Sequence, residues 1–265
     1  MVVADFLYME EIKELSPLGE NEREDVINLG IRLVQNTSGL LFGTDACLLA
    51  AFMKRMPSAK ACELGAGTGV ISLLAAKAAK FKECLCVEVQ ERFASLCERN
   101  IDRNSFSDRL SVLCADVRDI GKGESAGSFD VVFTNPPYMR ADSGKRNETD
   151  EKYIARHEVC GGIEDFVLAA SRCLRFGGLF YAVMRPDRLA DIFVYMREAA
   201  VEPKRICFVH SDTESEPSVC LIEGVRGGKP SLKVEKPLFL SERAGDGKLQ
   251  MSERAEAIYR TLSFE

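Results

Sequence analysis

Residues 59–79 read AKACELGAGTGVISLLAAKAA. Ala59 to Leu64 form a short apolar run suited to a buried strand. Glu63-Leu64-Gly65-Ala66-Gly67-Thr68-Gly69 make a glycine loop, and Val70 to Ala79 continue as an alanine-rich helix. Strand, glycine loop and helix in this order open an α/β unit. Glycines permit a tight turn and let a ligand approach the backbone closely. A dinucleotide-binding loop carries its third glycine three residues after its second. That position is Val70 here, and the third glycine comes one residue early. A diphosphate is therefore disfavoured. With Glu63 immediately before it, the loop suits a zwitterionic ligand that bears positive charge.

Outward from this stretch the alternation persists. Cys84 to Glu88, Leu110 to Cys114, Asp130 to Thr134 and Leu179 to Met184 read as strands. Glu91 to Arg103, Ile163 to Arg175 and a segment opened by Pro186 read as helices. The helix over 91–103 sets Phe93, Leu96, Cys97 and Ile101 on one face. Arg205 to Val209 and Ser218 to Glu223 have no helix between them and are expected to pair antiparallel. The sum is an α/β fold with a mostly parallel sheet covered by helices on both faces. Upstream, Ile31 to Asn36 and Leu40 to Gly43 flank the turn Thr37-Ser38-Gly39 and read as a β-hairpin. Thr44-Asp45 then cap a helix over 46–55 that stops before Pro57. The chain divides into an acidic, helical lead-in (1–30), a hairpin and helix (31–58), a catalytic domain (59–226) and a C-terminal extension (227–265).

Ligands of such sheets bind beyond the carboxyl ends of the strands, and the chemistry-bearing residues fall there. Glu88 closes its strand 23 residues after Gly65, where a carboxylate accepts both hydroxyls of a ribose. Asp116, with Val117 beside it, follows the next strand and is placed to accept from an adenine amino group, or to make an Asx turn. The fourth strand delivers Asn135-Pro136-Pro137-Tyr138. Its two prolines fix the backbone and remove two donors. The Asn135 side-chain oxygen and the Pro136 carbonyl are left as acceptors for the two hydrogens of a planar amino group. Holding both while the nitrogen turns tetrahedral directs its lone pair toward an electrophile, a transition-state effect. Tyr138 offers a face for stacking on a conjugated substrate.

The 265 residues are 46% hydrophobic and 29% charged, ordinary for a globular protein. The net charge of −6 resides in residues 1–30, with eight acids and two bases; the remainder is neutral. A nucleic-acid partner would need a local basic patch. The ten cysteines sit mostly in apolar runs, without Cys-x-x-Cys pairs and with only two histidines, so buried free thiols are expected rather than a zinc site or disulfides. No leader and no span of about 20 apolar residues is legible, which reads as cytoplasmic. His157 and Cys160 lack the supporting acid of a nucleophilic pair. The charged stretch Arg140 to Glu158 reads as a loop over the pocket.

These residues resemble the class I (Rossmann-like) methyltransferases, within them the amino-methylating branch with an NPPY motif, over roughly Glu22 to Glu223. More narrowly the chain is similar to the bacterial tRNA(Val) adenine-N6 methyltransferases. This likeness is carried by LVQNTSGLLFGTDACLLAAF (Leu33–Phe52), NPPY with the later ARHE (Ala155–Glu158), and GGLFYAVMRPDRLADI (Gly177–Ile192). The resemblance implies a seven-stranded sheet with a reversed last strand. It implies S-adenosyl-L-methionine as donor, with S-adenosyl-L-homocysteine as product, and tRNA as partner. It assigns Glu63, Gly65, Ala66, Gly67, Gly69, Glu88, Asp116 and Val117 to the cofactor, together with Asn135. Asn135, Pro136, Pro137 and Tyr138 fall to the target base, and Thr44 and Asp45 to the methionine end of the cofactor. Two alternatives stay open: a glutamine-N5 methyltransferase of release factors, since a carboxamide is also a planar amino group, or an enzyme acting on another RNA base amine. A binding module without catalysis is disfavoured because every expected site residue is present.

Overall fold

A computed structural model describes residues 16–37, 43–123, 126–136, 161–243 and 247–264. Its centre is the strand read first, β3 (Lys60–Leu64), followed by α2 (Val70–Lys77), β4 (Glu83–Glu88), α3 (Glu91–Arg103) and β5 (Leu110–Cys114). The chain then returns to the other side of β3 with β6 (Phe129–Thr134), α4 (Ile163–Cys173), β7 (Leu174–Met184) and α5 (Leu189–Glu198). It finishes the sheet with β8 (Val201–His210) and β9 (Pro217–Arg226). The strands lie in the order β8-β9-β7-β6-β3-β4-β5. The pairings from β5 across to β7 are parallel, and β9 runs antiparallel to both of its neighbours. The expected seven strands and the reversed last strand are therefore present. Because the chain leaves β3 first toward β4 and later toward β6, a crevice opens between β3 and β6 at their carboxyl ends.

Two short strands enlarge this sheet to nine among the described residues. β10 (Lys233–Val234) and β11 (Leu238–Phe239) both pair parallel with the outer edge of β8. They belong to the C-terminal extension, which continues through a small hairpin, β12 (Ser241–Arg243) with β13 (Leu249–Met251), into α6 (Glu253–Thr261). The extension thus covers a sheet edge that would otherwise be open to another chain.

Alternation along each strand sorts side chains onto two cores. Ala61, Phe133, Tyr181, Val183 and Leu221 face the layer of α1 (Thr44–Phe52), α2 and α6. Cys62, Leu64, Val132, Phe180, Ala182 and Ile222 face α4 and α5. Nine cysteines are free, all buried except Cys114, as their apolar settings suggested; Cys160, like His157, lies outside the described residues. Among the described residues no helix is long and apolar enough to cross a membrane.

The lead-in departs from the sequence reading. Ile31–Asn36 is a strand (β2), but its partner is β1 (Glu22–Ile27), antiparallel across the turn at 28–30. Residues 22–27 are thus strand rather than helix, and the boundary drawn at 30 falls inside the hairpin. The expected partner strand at 40–43 lies almost wholly outside the described residues. The reason is tertiary. Glu22 and Glu24, two apart on one strand face, meet Arg99 and Arg103, four apart on one face of α3. Arg99 Nη1 reaches Glu22 Oε1 at 2.8 Å, and Arg103 Nε reaches Glu24 Oε2 at 3.0 Å. Acids that read as a solvated helix face are held by arginines far along the chain. Helix limits also shift. α1 begins at Thr44, with Gly43 as its N-cap and no side-chain cap bond, so Asp45 sits in the first turn; it ends at Phe52, not Arg55. α4 ends at Cys173 because Leu174 already starts β7.

One buried amide joins the hairpin to the domain. Asn100, fully buried on the inward face of α3, accepts from the Val34 amide at 2.7 Å. Its Nδ2 donates to the Val34 carbonyl at 3.1 Å and to the Thr68 carbonyl in the glycine loop at 3.0 Å. Asn100→Ala strands these backbone groups in the interior, and a loss of about 2–4 kcal/mol in urea unfolding is the expected outcome.

Candidate functional site

The glycine loop is pinned to the end of β4. The Gly65 and Ala66 amides both donate to the Val87 carbonyl at 2.9 Å. The Gly67 amide donates to Glu88 Oε2 at 2.9 Å. Gly65, Gly67 and Gly69 all have positive φ, which L side chains rarely adopt. A Cβ at Gly65 would press on the Phe166 ring at 3.0 Å, and one at Gly69 would strike Cys97 Sγ at 2.6 Å. One at Gly67, with φ +54, would meet nothing within 4 Å. Gly65 and Gly69 are glycine for packing. Gly67 is glycine facing open space, the condition for a ligand to lie against the backbone.

Three carboxylates expected at the site are placed differently. Glu88 terminates β4 and accepts from the Gly67 and Gln90 amides at 2.9 Å each; burial raises its carboxyl above the ordinary range. Glu63 lies beneath the loop, 1% exposed, and its Oε2 accepts from the amide and the hydroxyl of Ser72. Since the N-cap of α2 is Gly69, which has no side chain, Glu63 caps the helix from the neighbouring strand. Burial pushes its carboxyl well above the usual carboxylate value. Asp116 makes the Asx turn: Oδ1 accepts from the Arg118 amide at 2.8 Å, and the Arg118 guanidinium beside it holds the carboxyl below its ordinary value. Val117, next to it, is buried.

At the crevice between β3 and β6, Thr134 Oγ1 donates to the Leu64 carbonyl at 2.8 Å. That bond fastens the end of β6 to the start of the glycine loop. Asn135 follows, and its Oδ1 is buried with no hydrogen-bond partner. A buried orphan acceptor costs about 1–3 kcal/mol, a cost that a ligand amino group removes. Pro136 is described and buried; Pro137 and Tyr138 lie outside the described residues.

Thr44 and Asp45 open α1. Lys80, just past α2, donates through Nζ to the Ala51 and Met53 carbonyls at the end of α1, at 3.2 and 2.6 Å. The Met56 amide donates to the Lys80 carbonyl at 2.8 Å. The carboxyl ends of α1 and α2 therefore lie together on one face of the sheet. Asp45 has Thr44 Oγ1 at 3.5 Å and no cationic partner among the described residues; burial raises its carboxyl.

Sequence reading overlooked Ser72, Asn100 and Phe166, which support the loop without facing a ligand. Asn100 had a usable signal: position 100 falls on the inward stripe of α3 with Phe93, Leu96, Cys97 and Ile101, where a polar residue must have partners.

The family model described as the methyltransferase small domain matches residues 40–199. Two curated relatives are named tRNA1(Val) (adenine(37)-N6)-methyltransferase. One, from Shewanella sp. strain MR-4, is 26% identical over 65% of this chain and 72% of the relative. The other, from Porphyromonas gingivalis, is 26% identical over 71% and 76%. A crystal structure from Agrobacterium tumefaciens, described as a predicted O-methyltransferase, superposes with a TM-score of 0.67. It is 22% identical and covers 83% of this chain and 98% of its own, a likeness of fold.

Two outcomes follow from the loop. Gly67→Ala puts a methyl group into open space at positive φ. It is expected to cost only about 1 kcal/mol of stability while weakening S-adenosylmethionine binding at least about tenfold, as read by calorimetry. Glu63 titrates above its unfolded value, so the stabilisation from its protonated form is full below pH 4.5 and is lost as pH rises through the folded-state value. Glu63→Gln is expected to flatten that decline and to be the more stable protein at pH 8 in urea unfolding.

Proposed function

The chain belongs to the methyltransferase small domain family, and from that premise we propose that it transfers a methyl group from S-adenosylmethionine to the exocyclic amino group of an adenine in tRNA. The observation that carries this reading is Asn135 Oδ1, a buried acceptor without a partner at the crevice beside the glycine loop. An amino group presents two hydrogens. Asn135 Oδ1 takes one and the Pro136 carbonyl the other.

The residues fit the donor. Gly67 leaves room against the backbone. Glu88 faces the loop it binds and takes ribose hydroxyls. Asp45, with no cationic partner among the described residues, suits the ammonium end of the methionine moiety. When bound, S-adenosylmethionine supplies an electrophilic methyl group on a sulfonium. Asn135 and Pro136 orient the amino nitrogen and draw its hydrogens as it becomes tetrahedral, an interaction stronger in the transition state than in the ground state. The methylated ammonium is acidic and releases its proton without a strong base. Tyr138 stacks on the base in this reading.

A glutamine carboxamide presents the same pair of hydrogens, so Asn135 alone favours neither substrate. The curated relatives favour tRNA, as does the hairpin of β1 and β2 in front of the glycine loop, where release-factor methylating enzymes resembling this chain carry a helical domain.

Asn135→Ala is expected to lower turnover about 10²–10³-fold with S-adenosylmethionine affinity nearly unchanged; an unaltered rate removes Asn135 from the mechanism. With tritiated S-adenosylmethionine, total RNA is expected to take up label and release factor to take up none. The reverse pattern assigns the enzyme to the protein substrate.

A further inference from the structure

The C-terminal helix α6 approaches the start of α1 through one residue, Tyr259. Its hydroxyl is buried and has no partner in hydrogen-bonding geometry among the described residues. It lies beside Thr44, Asp45 and Cys47, and burial pushes the phenol up to about 12. It is therefore a protonated phenol beside the Thr44 hydroxyl, with the Asp45 carboxylate near it.

The backbone beneath this hydroxyl is fixed from several directions. Asn28, in the turn between β1 and β2, donates through Nδ2 to the Tyr259 carbonyl at 2.7 Å and accepts from Cys47 Sγ at 3.5 Å. One side chain thus ties hairpin, α1 and α6 together. Ser252 caps α6, accepting from the Ala255 amide at 3.1 Å and donating to the Phe239 carbonyl at 2.6 Å. At the far end, the Phe264 ring meets Phe52 of α1 edge-on at 5.4 Å. Leu238, fully buried in β11, pairs with β8. The extension is anchored to the sheet edge at one end and to α1 along its helix, so Tyr259 is held at a set place against the first turn of α1.

Asp45 in that turn lacks a cationic partner among the described residues. A hydroxyl bonds an ionised carboxylate roughly twice as strongly as a neutral group. A cation arriving at Asp45 favours the ionised form. Cation binding and donation by Tyr259 therefore reinforce each other, and the orphan hydroxyl acquires its acceptor when the ligand binds.

We propose that Tyr259 of the C-terminal extension is a positioning residue of the donor site, its hydroxyl holding the Thr44–Asp45 turn for the cationic methionine end of S-adenosylmethionine. The proposal rests on the donor reading given above. It assigns a functional part to residues 227–265, which otherwise only cover the sheet edge and α1.

The test is calorimetry on the full chain with two ligands, S-adenosylmethionine and 5′-methylthioadenosine, which shares the nucleoside and sulfur but has no amino-acid end. Tyr259→Phe keeps the ring and its packing. It is expected to weaken S-adenosylmethionine about tenfold, to leave 5′-methylthioadenosine unchanged, and to leave the ligand-free melting temperature unchanged. In an Asp45→Asn background the same substitution is expected to have no further effect, because the ionised acceptor is gone. Equal weakening of both ligands, no weakening of either, or effects that add independently in the double variant would overturn the proposal while leaving the donor reading intact. Failure of the unaltered protein to bind S-adenosylmethionine at all overturns the donor reading, and this proposal with it.

Discussion

Three consecutive amides govern the site: Gly65 and Ala66 on the Val87 carbonyl, Gly67 on the Glu88 carboxylate. They bind the glycine loop to the neighbouring strand instead of leaving it a free turn between β3 and α2. Once the loop is held there, its positive φ angles follow, α2 starts after its N-cap Gly69, and Glu88 is fixed with its carboxylate against the loop. Glu63 secures the arrangement from below through Ser72, and Asn100 from the side through the Thr68 carbonyl. Each support comes from a different strand or helix, so the loop's shape is overdetermined.

The site combines satisfied and unsatisfied polar groups in a pattern that separates scaffold from function. Glu63 and Asn100 are buried and hydrogen-bonded, and both hold backbone in place. Asn135 Oδ1 and the Tyr259 hydroxyl are buried and unengaged. Buried polar atoms are rarely left without partners because each costs free energy. Here one is an acceptor beside the glycine loop and the other a donor beside the first turn of α1.

Asp116 shows how one residue type serves two readings. Its place after β5 is the place of an adenine acceptor, yet its carboxylate is engaged by the amide and guanidinium of Arg118, two residues on. The position was legible in the chain. The Asx turn was legible too; the hold of the Arg118 guanidinium was not, because it reaches the carboxylate only in the conformation that the end of β5 adopts.

The sequence by itself determined the order of strands and helices between residues 59 and 226, the antiparallel pairing of the last two strands there, and the chain positions of the loop, Glu88 and the Asn135 motif. These depend on periodicity and on glycine and proline chemistry, which act over a few neighbouring residues. Tertiary structure alone decided what residues 22–27 become, since Glu22 and Glu24 find Arg99 and Arg103 some 77 to 79 positions away. It alone separated Glu63, a cap buried under α2, from Glu88, whose carboxylate at the end of β4 bonds the glycine loop. It also brought Tyr259 to Asp45 across more than two hundred residues, by way of β11, Ser252 and the Asn28 side chain. Such contacts arise from packing whole elements against one another, and no local pattern encodes them.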